Sequence, residues 1–130
     1  VLAKHIKAKQ PEANITVITN DNDYLQLIQE RICIHNLQSK DLCTRVKENP
    51  ENELLMKILM GDVSDNIKGI MGKSGKRLAN KYIKDRELLK ERMKEDEEFK
   101  IGYMLNETLV DFNKIPDDIQ TNIIQMYNNI

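Results

Sequence analysis

The sequence predicts an α/β fold, and three observations carry that expectation. A β-branched run, "NITVITN" (Asn14 to Asn20), has the character of a strand in a parallel sheet. Two more β-rich stretches, "RICIHN" and "DLCTRV", follow within the first half. From Asn49 onward the apolar residues fall at helical spacing, with helix starts and stops marked by cap chemistry. The expected order is therefore a few strands, then a helical second half.

Each element has its local reason. Val1 to Lys9 carries apolar residues at Val1, Leu2 and Ile6 and reads as a helix that Pro11 ends. It starts without a lead-in, which suggests a piece of a longer protein. "NITVITN" is continuous enough in β-branched residues to be buried on both faces. Asp21 and Asp23 stand at its carboxyl end, and "DYLQLIQE" reads as a short helix with Asp23 near its positive end. "RICIHN" and "DLCTRV", joined by "LQSK", form a candidate hairpin. "NPENELLMKILMG" is the clearest helix start: Asn49 suits the cap, Pro50 the first helical position, and Glu51 and Glu53 the first turn. Leu54, Leu55, Ile58 and Leu59 give that helix a buried face, and Gly61 ends it. "GKRLANKYI" is helical. "RELLKERMKEDEEFKIGYMLNETLV" is amphipathic helix, expected to break near Lys94 to Asp96, with "KEDEEFK" as a solvated face. The last helix has Pro116 at its start and Asp117 and Asp118 in its first turn.

Composition narrows the class. With 130 residues, 40% apolar and 32% charged, the chain suits one ordinary soluble core, neither disordered nor fibrous. No apolar run nears the roughly 20 residues of a membrane span, so an intracellular location is expected, cytoplasmic with the nucleus also open. Cys33 and Cys43 are too few for a disulfide framework and read as reduced, buried thiols; a zinc site built from them and His35 lacks a fourth ligand. His5 and His35 read as structural or surface residues. Net charge is −1, but Asn66 to Lys84 holds six basic residues and no acid, which leaves −7 on the rest by subtraction. A local positive patch on an acidic protein points to an anionic partner.

Two carboxylate pairs stand out, Asp21 with Asp23 after a strand and Asp62 with Asp65 after a helix. Ligands of open α/β sheets bind at the carboxyl ends of strands. Four aspartates gathered without a cation would repel one another, whereas divalent cations remove that conflict. An all-oxygen donor set favours Mg²⁺ or Mn²⁺ over zinc, and two such ions can drive phosphodiester hydrolysis. Turn chemistry is the competing reading for each pair. An EF-hand is excluded, because Gln26 stands where that loop needs glycine and Ile32 where it needs glutamate.

The segment from Gly69 to Gly75 has three glycines in seven residues and leads into Lys76 and a helix. Such a loop lets backbone N–H groups approach phosphate, although it lacks the spacing of a P-loop. A sequence-independent phosphate clamp of the helix-hairpin-helix type fits it; a plain glycine turn with solvated lysines is the competing reading.

"ITNDNDYLQLI" resembles the "TGDKDLLQL" motif, and "GDVSDNIKGIMGKSGKRLA" the "GDSSDNIPGVPGIGPKTA" motif, of the 5′-nuclease superfamily of 5′–3′ exonucleases and flap endonucleases. "LVDFNKIPDDIQTNIIQMYN" is similar to the tail of the phage ribonuclease H branch, and together the resemblance covers nearly the whole chain. It implies that residues 1–60 are the C-terminal part of a PIN-like catalytic domain and residues 61–130 a helical duplex-binding region. It further implies that Asp21, Asp23, Asp62 and Asp65 are catalytic metal ligands for two Mg²⁺ or Mn²⁺ ions. Lys68, Gly69, Gly72, Lys73, Ser74, Gly75, Lys76 and Arg77 would then be a DNA-binding loop, with K⁺ on its carbonyls. The pattern departs from the family where Lys68 and Met71 replace prolines and Ser74 and Gly75 replace Gly-Pro.

What the resemblance implies in function is a monomeric, metal-dependent 5′-nuclease. Its substrates would be flapped or nicked duplex or RNA–DNA hybrids, as in primer removal, and it would work beside replication or repair proteins and off the membrane. The N-terminal half of the family's active site does not appear, so the chain alone is expected to bind metal weakly and cleave poorly. From another class, a noncatalytic, sequence-independent DNA-binding module is the alternative.

Overall fold

The computed structural model describes residues 1–45, 49–72 and 75–130. Over these residues the chain is a mixed α/β structure, mostly helical with two small sheets, as its sequence predicts. It divides into two compact units, one formed by Val1–Pro50 with Ile115–Ile130, the other by Glu51–Lys114. No described helix is long and apolar enough to cross a membrane.

In the first unit, helix α1 (Leu2–Lys9) precedes strand β1 (Ile15–Ile18), which pairs in parallel with β2 (Ile32–His35) in the register Ile15 to Ile32 through Ile18 to His35. The parallel pairing agrees with the β-branched run. The expectation of burial on both faces fails: β1 alternates half-buried and exposed residues, and Ile18 is 65% exposed. Among the described residues only β2 hydrogen-bonds to β1, and the apolar weight lies in β2, where Ile32 and Ile34 are fully covered.

The candidate hairpin is also cut short. Its return limb makes one antiparallel bridge, His35 to Asp41, before entering a 3₁₀ turn at Cys43–Arg45; Val46 lies outside the described residues. The cause is local: the Asp41 carboxylate accepts the Cys43 N–H at 2.7 Å, and an Asx bond of this kind competes with a strand ladder. Helix α6 (Asp117–Asn128) returns to this unit, where Tyr127 meets the His5 ring edge-on at 6.1 Å. Cys33 and Cys43 form no disulfide but are half-buried rather than buried as expected, and partial burial pushes the Cys43 thiol up to about 11. Its alkylation at neutral pH should therefore run on the order of a hundredfold slower than that of an ordinary thiol. Mass-spectrometric labelling rates against pH check this, and ordinary reactivity at pH 7 would contradict the burial.

In the second unit, helix α2 (Pro50–Met60) starts at the expected proline and buries Leu55, Ile58 and Leu59. Gly61 ends it with φ +76°. A short antiparallel ribbon, β3 (Gly61–Asp62) with β4 (Ile67–Lys68), leads to the glycine loop and to helix α3 (Gly75–Lys84). Helix α4 (Arg86–Glu95) and helix α5 (Glu97–Val110) meet at Asp96, the break the sequence predicts. That residue closes α4, and its carboxylate accepts the Phe99 N–H at 2.9 Å to open α5. The run "KEDEEFK" is solvated apart from Phe99, which joins Leu55, Leu59, Met71, Ala79, Tyr82 and Leu89 in one core.

Candidate metal centre and nucleic-acid interface

Asp21 and Asp23 belong to the first unit. Asp21 caps the 3₁₀ helix Asn22–Leu27, which stands where the sequence suggests a short α-helix; its carboxylate accepts the Asp23 N–H at 2.9 Å. The Asp21 N–H in turn donates to Thr19 Oγ1 at 3.1 Å. The turn is thus built by its own side chains and carries two carboxylates just past β1.

Asp62 and Asp65 belong to the second unit and lie close together, each offering a carboxylate oxygen within 4.8 Å of the other's. That spacing and an all-oxygen donor set suit one hard divalent cation. Asp62 Oδ1 accepts the Ser64 N–H at 2.9 Å and its hydroxyl at 2.5 Å, while Oδ2 pairs with the Lys57 ammonium at 2.7 Å. The Lys57 hydrogen bond, then those from Ser64, hold the Asp62 carboxyl well below the usual carboxylate range. Asn66, in the left-handed region at φ 57°, closes the turn by donating its N–H to Val63 O. Lys57 was not singled out by sequence reasoning, because a lysine five residues ahead of an aspartate matches no helical contact spacing.

Beyond this turn, Lys68 ends β4 and Gly69 begins the glycine loop. Gly72 adopts φ +58°, and Gly75 opens α3. Lys73 and Ser74 lie outside the described residues. Lys76 and Arg77 are exposed on the first turn of α3, which buries Ala79 and Tyr82. Asn80, Lys81 and Lys84 line a surface cavity of about 340 Å³ with Arg77. These three were not among the expected site residues, although the spacing of Arg77, Lys81 and Lys84 places them on one helix face.

No protein-family profile matches the chain. A 5′-3′ exonuclease of Bacillus subtilis (strain 168) is 35% identical over 88 residues, covering 60% of this chain and 29% of the relative. A T5 protein crystallised with metal ions superposes with a TM-score of 0.61 at 20% identity, covering 85% of this chain and 49% of that one. The chain is thus similar in sequence to a 5′-3′ exonuclease and in fold to that T5 protein. A second likeness is to the bacteriophage T5 flap endonuclease in a pseudo-enzyme–product complex with DNA and metal ions: TM-score 0.54, 18% identity, 85% of this chain and 48% of that one. The chain spans less than a third of the curated relative it matches and about half of each structural one.

Proposed function

We propose that this chain serves a divalent-metal-dependent 5′–3′ exonuclease or flap endonuclease, the activity belonging to the full-length protein. The observation that carries the reading is the Asp62/Asp65 turn, two carboxylates within one ion's reach, set directly ahead of a basic glycine loop. Asp21, Asp23, Asp62 and Asp65 would hold two Mg²⁺ or Mn²⁺ ions. When bound, such ions supply a hydroxide nucleophile and stabilise the leaving oxygen of a phosphodiester. Ser64 and Lys57 hold the Asp62 carboxylate ionised and oriented, ready to accept a cation. Residues 1–60 would be the C-terminal part of a PIN-like catalytic domain, and residues 61–130 a helical duplex-binding region whose first turn carries Asp62 and Asp65.

In the second region, Lys68, Gly69, Gly72, Lys73, Ser74, Gly75, Lys76 and Arg77 would form a helix-hairpin-helix-like clamp, with K⁺ on the loop carbonyls. The glycine backbone would let N–H groups reach phosphate, and the start of α3 would add unsatisfied N–H donors. Substrates would be duplex DNA with a 5′ flap or nick, or an RNA–DNA hybrid, as in primer removal during replication or repair.

The test is cleavage of a labelled 5′-flap duplex by the full-length protein, with and without Mg²⁺. Cleavage abolished by chelation supports the nuclease; duplex binding with no cleavage at any Mg²⁺ concentration selects the noncatalytic DNA-binding module instead. Neutralising Lys76 and Arg77 together should weaken duplex binding and flatten the dependence of log Kd on log salt by about two units. An unchanged salt slope in fluorescence anisotropy removes those two residues from the clamp.

A further inference from the structure

Asn106 is 4% exposed and is the one buried amide or charged side chain among the described residues. It sits on α5, and its Nδ2 donates two hydrogen bonds, to Ile58 O at 2.9 Å and to Lys68 O at 2.8 Å. Both partners are carbonyl acceptors, so the two N–H bonds of a carboxamide nitrogen match them. Aspartate and leucine offer no donor there, and serine offers one.

The two carbonyls are not arbitrary. Ile58 lies in the last turn of α2, where the helix has no N–H left to give because Gly61 turns the chain away. Its neighbour Leu59 O is taken by the Ile70 N–H at 3.0 Å, which fastens the glycine loop to the same helix end. Lys68 O is the last carbonyl before Gly69. One side chain therefore pins both roots of the Gly61–Lys68 ribbon, whose turn carries Asp62 and Asp65 and whose exit begins the glycine loop.

We infer that Asn106 is a positioning residue for the phosphodiesterase site, fixing the acid turn and the glycine loop as one rigid piece. The inference rests on the metal-nuclease reading of that turn. Asn106 acts through the carbonyls at either end of the ribbon, to which its Nδ2 donates. Groups that orient metal ligands in this indirect way govern metal affinity and activity by about 10- to 100-fold.

The experiment compares the full-length protein with Asn106→Leu and Asn106→Ser, each below its unfolding midpoint. Mn²⁺ binding without DNA is followed by the electron paramagnetic resonance of free Mn²⁺, and kcat and KM are measured on a flap duplex. The expected result is an Mn²⁺ affinity about tenfold weaker in Asn106→Leu, a smaller shift in Asn106→Ser, and kcat falling more than KM rises. A merely structural role would lower the folded fraction and leave the Mn²⁺ midpoint of the folded protein unchanged, and that outcome overturns the inference. So does failure of both variants to fold. If wild-type protein binds Mn²⁺ but cleaves nothing, the nuclease reading fails while a shifted Mn²⁺ midpoint still upholds the positioning role. If wild-type protein binds no Mn²⁺, both fall together.

Discussion

Gly61→Ala is expected to destabilise the Glu51–Lys114 unit by about 3 to 5 kcal/mol, more than the same change at Gly72. Two costs add. Gly61 sits at φ +76°, where a side chain costs about 1–2 kcal/mol. A Cβ there would also lie 2.4 Å from Ile67 O, 2.5 Å from Gly69 N and 2.6 Å from Lys68 C. All three are backbone atoms, so no rotamer change relieves the clash, and β4 must move away from β3. That displacement would separate the acid turn from the glycine loop, so duplex binding should fall along with stability. Gly72 is the internal control: its φ of +58° carries the first cost, but among the described residues nothing lies within 4 Å of its Cβ position. Gly72→Ala should cost only about 1 kcal/mol. Urea midpoints of the two variants decide the matter. A difference below about 1 kcal/mol would mean that β4 does not approach Gly61 so closely.

The parts of the fold that the sequence made legible are those whose cause is local. Pro50 at a helix start, Gly61 at its stop and Asp96 between two helices act on backbone groups within four residues, so their effect can be read without knowing the tertiary structure. The parallel pairing of β1 followed from its β-branched residues, but burial did not. Ile18 is exposed because burial depends on what packs against a face, which a run of apolar residues does not specify. The return limb after β2 failed for the opposite reason, since Asp41 captures the Cys43 N–H and diverts the chain into a turn.

The site divides the same way. The acid turns and the basic glycine loop are contiguous motifs, visible as spacing. Lys57 and Asn106 are not. Lys57 reaches Asp62 only because Gly61 folds the chain back, and Asn106 finds its partners 48 and 38 residues away. In sequence, an asparagine in an amphipathic helix looks like a surface residue.

On the proposed metal-nuclease reading, Asp65→Asn is expected to cut metal-dependent cleavage by the full-length protein on the order of a thousandfold, because a charge held to a metal is worth several kcal/mol at about 1.4 kcal/mol per factor of ten. Its stability should stay within about 0.5 kcal/mol of wild type, since Asp65 is exposed and takes no hydrogen bond or ion pair among the described residues. Asp62→Asn should lose activity equally but behave differently in acid. The Asp62 carboxyl is depressed by Lys57 and Ser64, so its stabilising contribution is present above about pH 4 and disappears as pH falls through its lowered pKa. The stability gap between wild type and Asp62→Asn should therefore be widest near neutral pH and close on acidification, while Asp65→Asn shows no comparable gap at neutral pH. Single-turnover cleavage at saturating Mg²⁺ and urea midpoints from pH 7 down to pH 2 separate the two variants. Cleavage by Asp65→Asn within tenfold of wild type would remove Asp65 from the metal set and leave the turn as a structural cap.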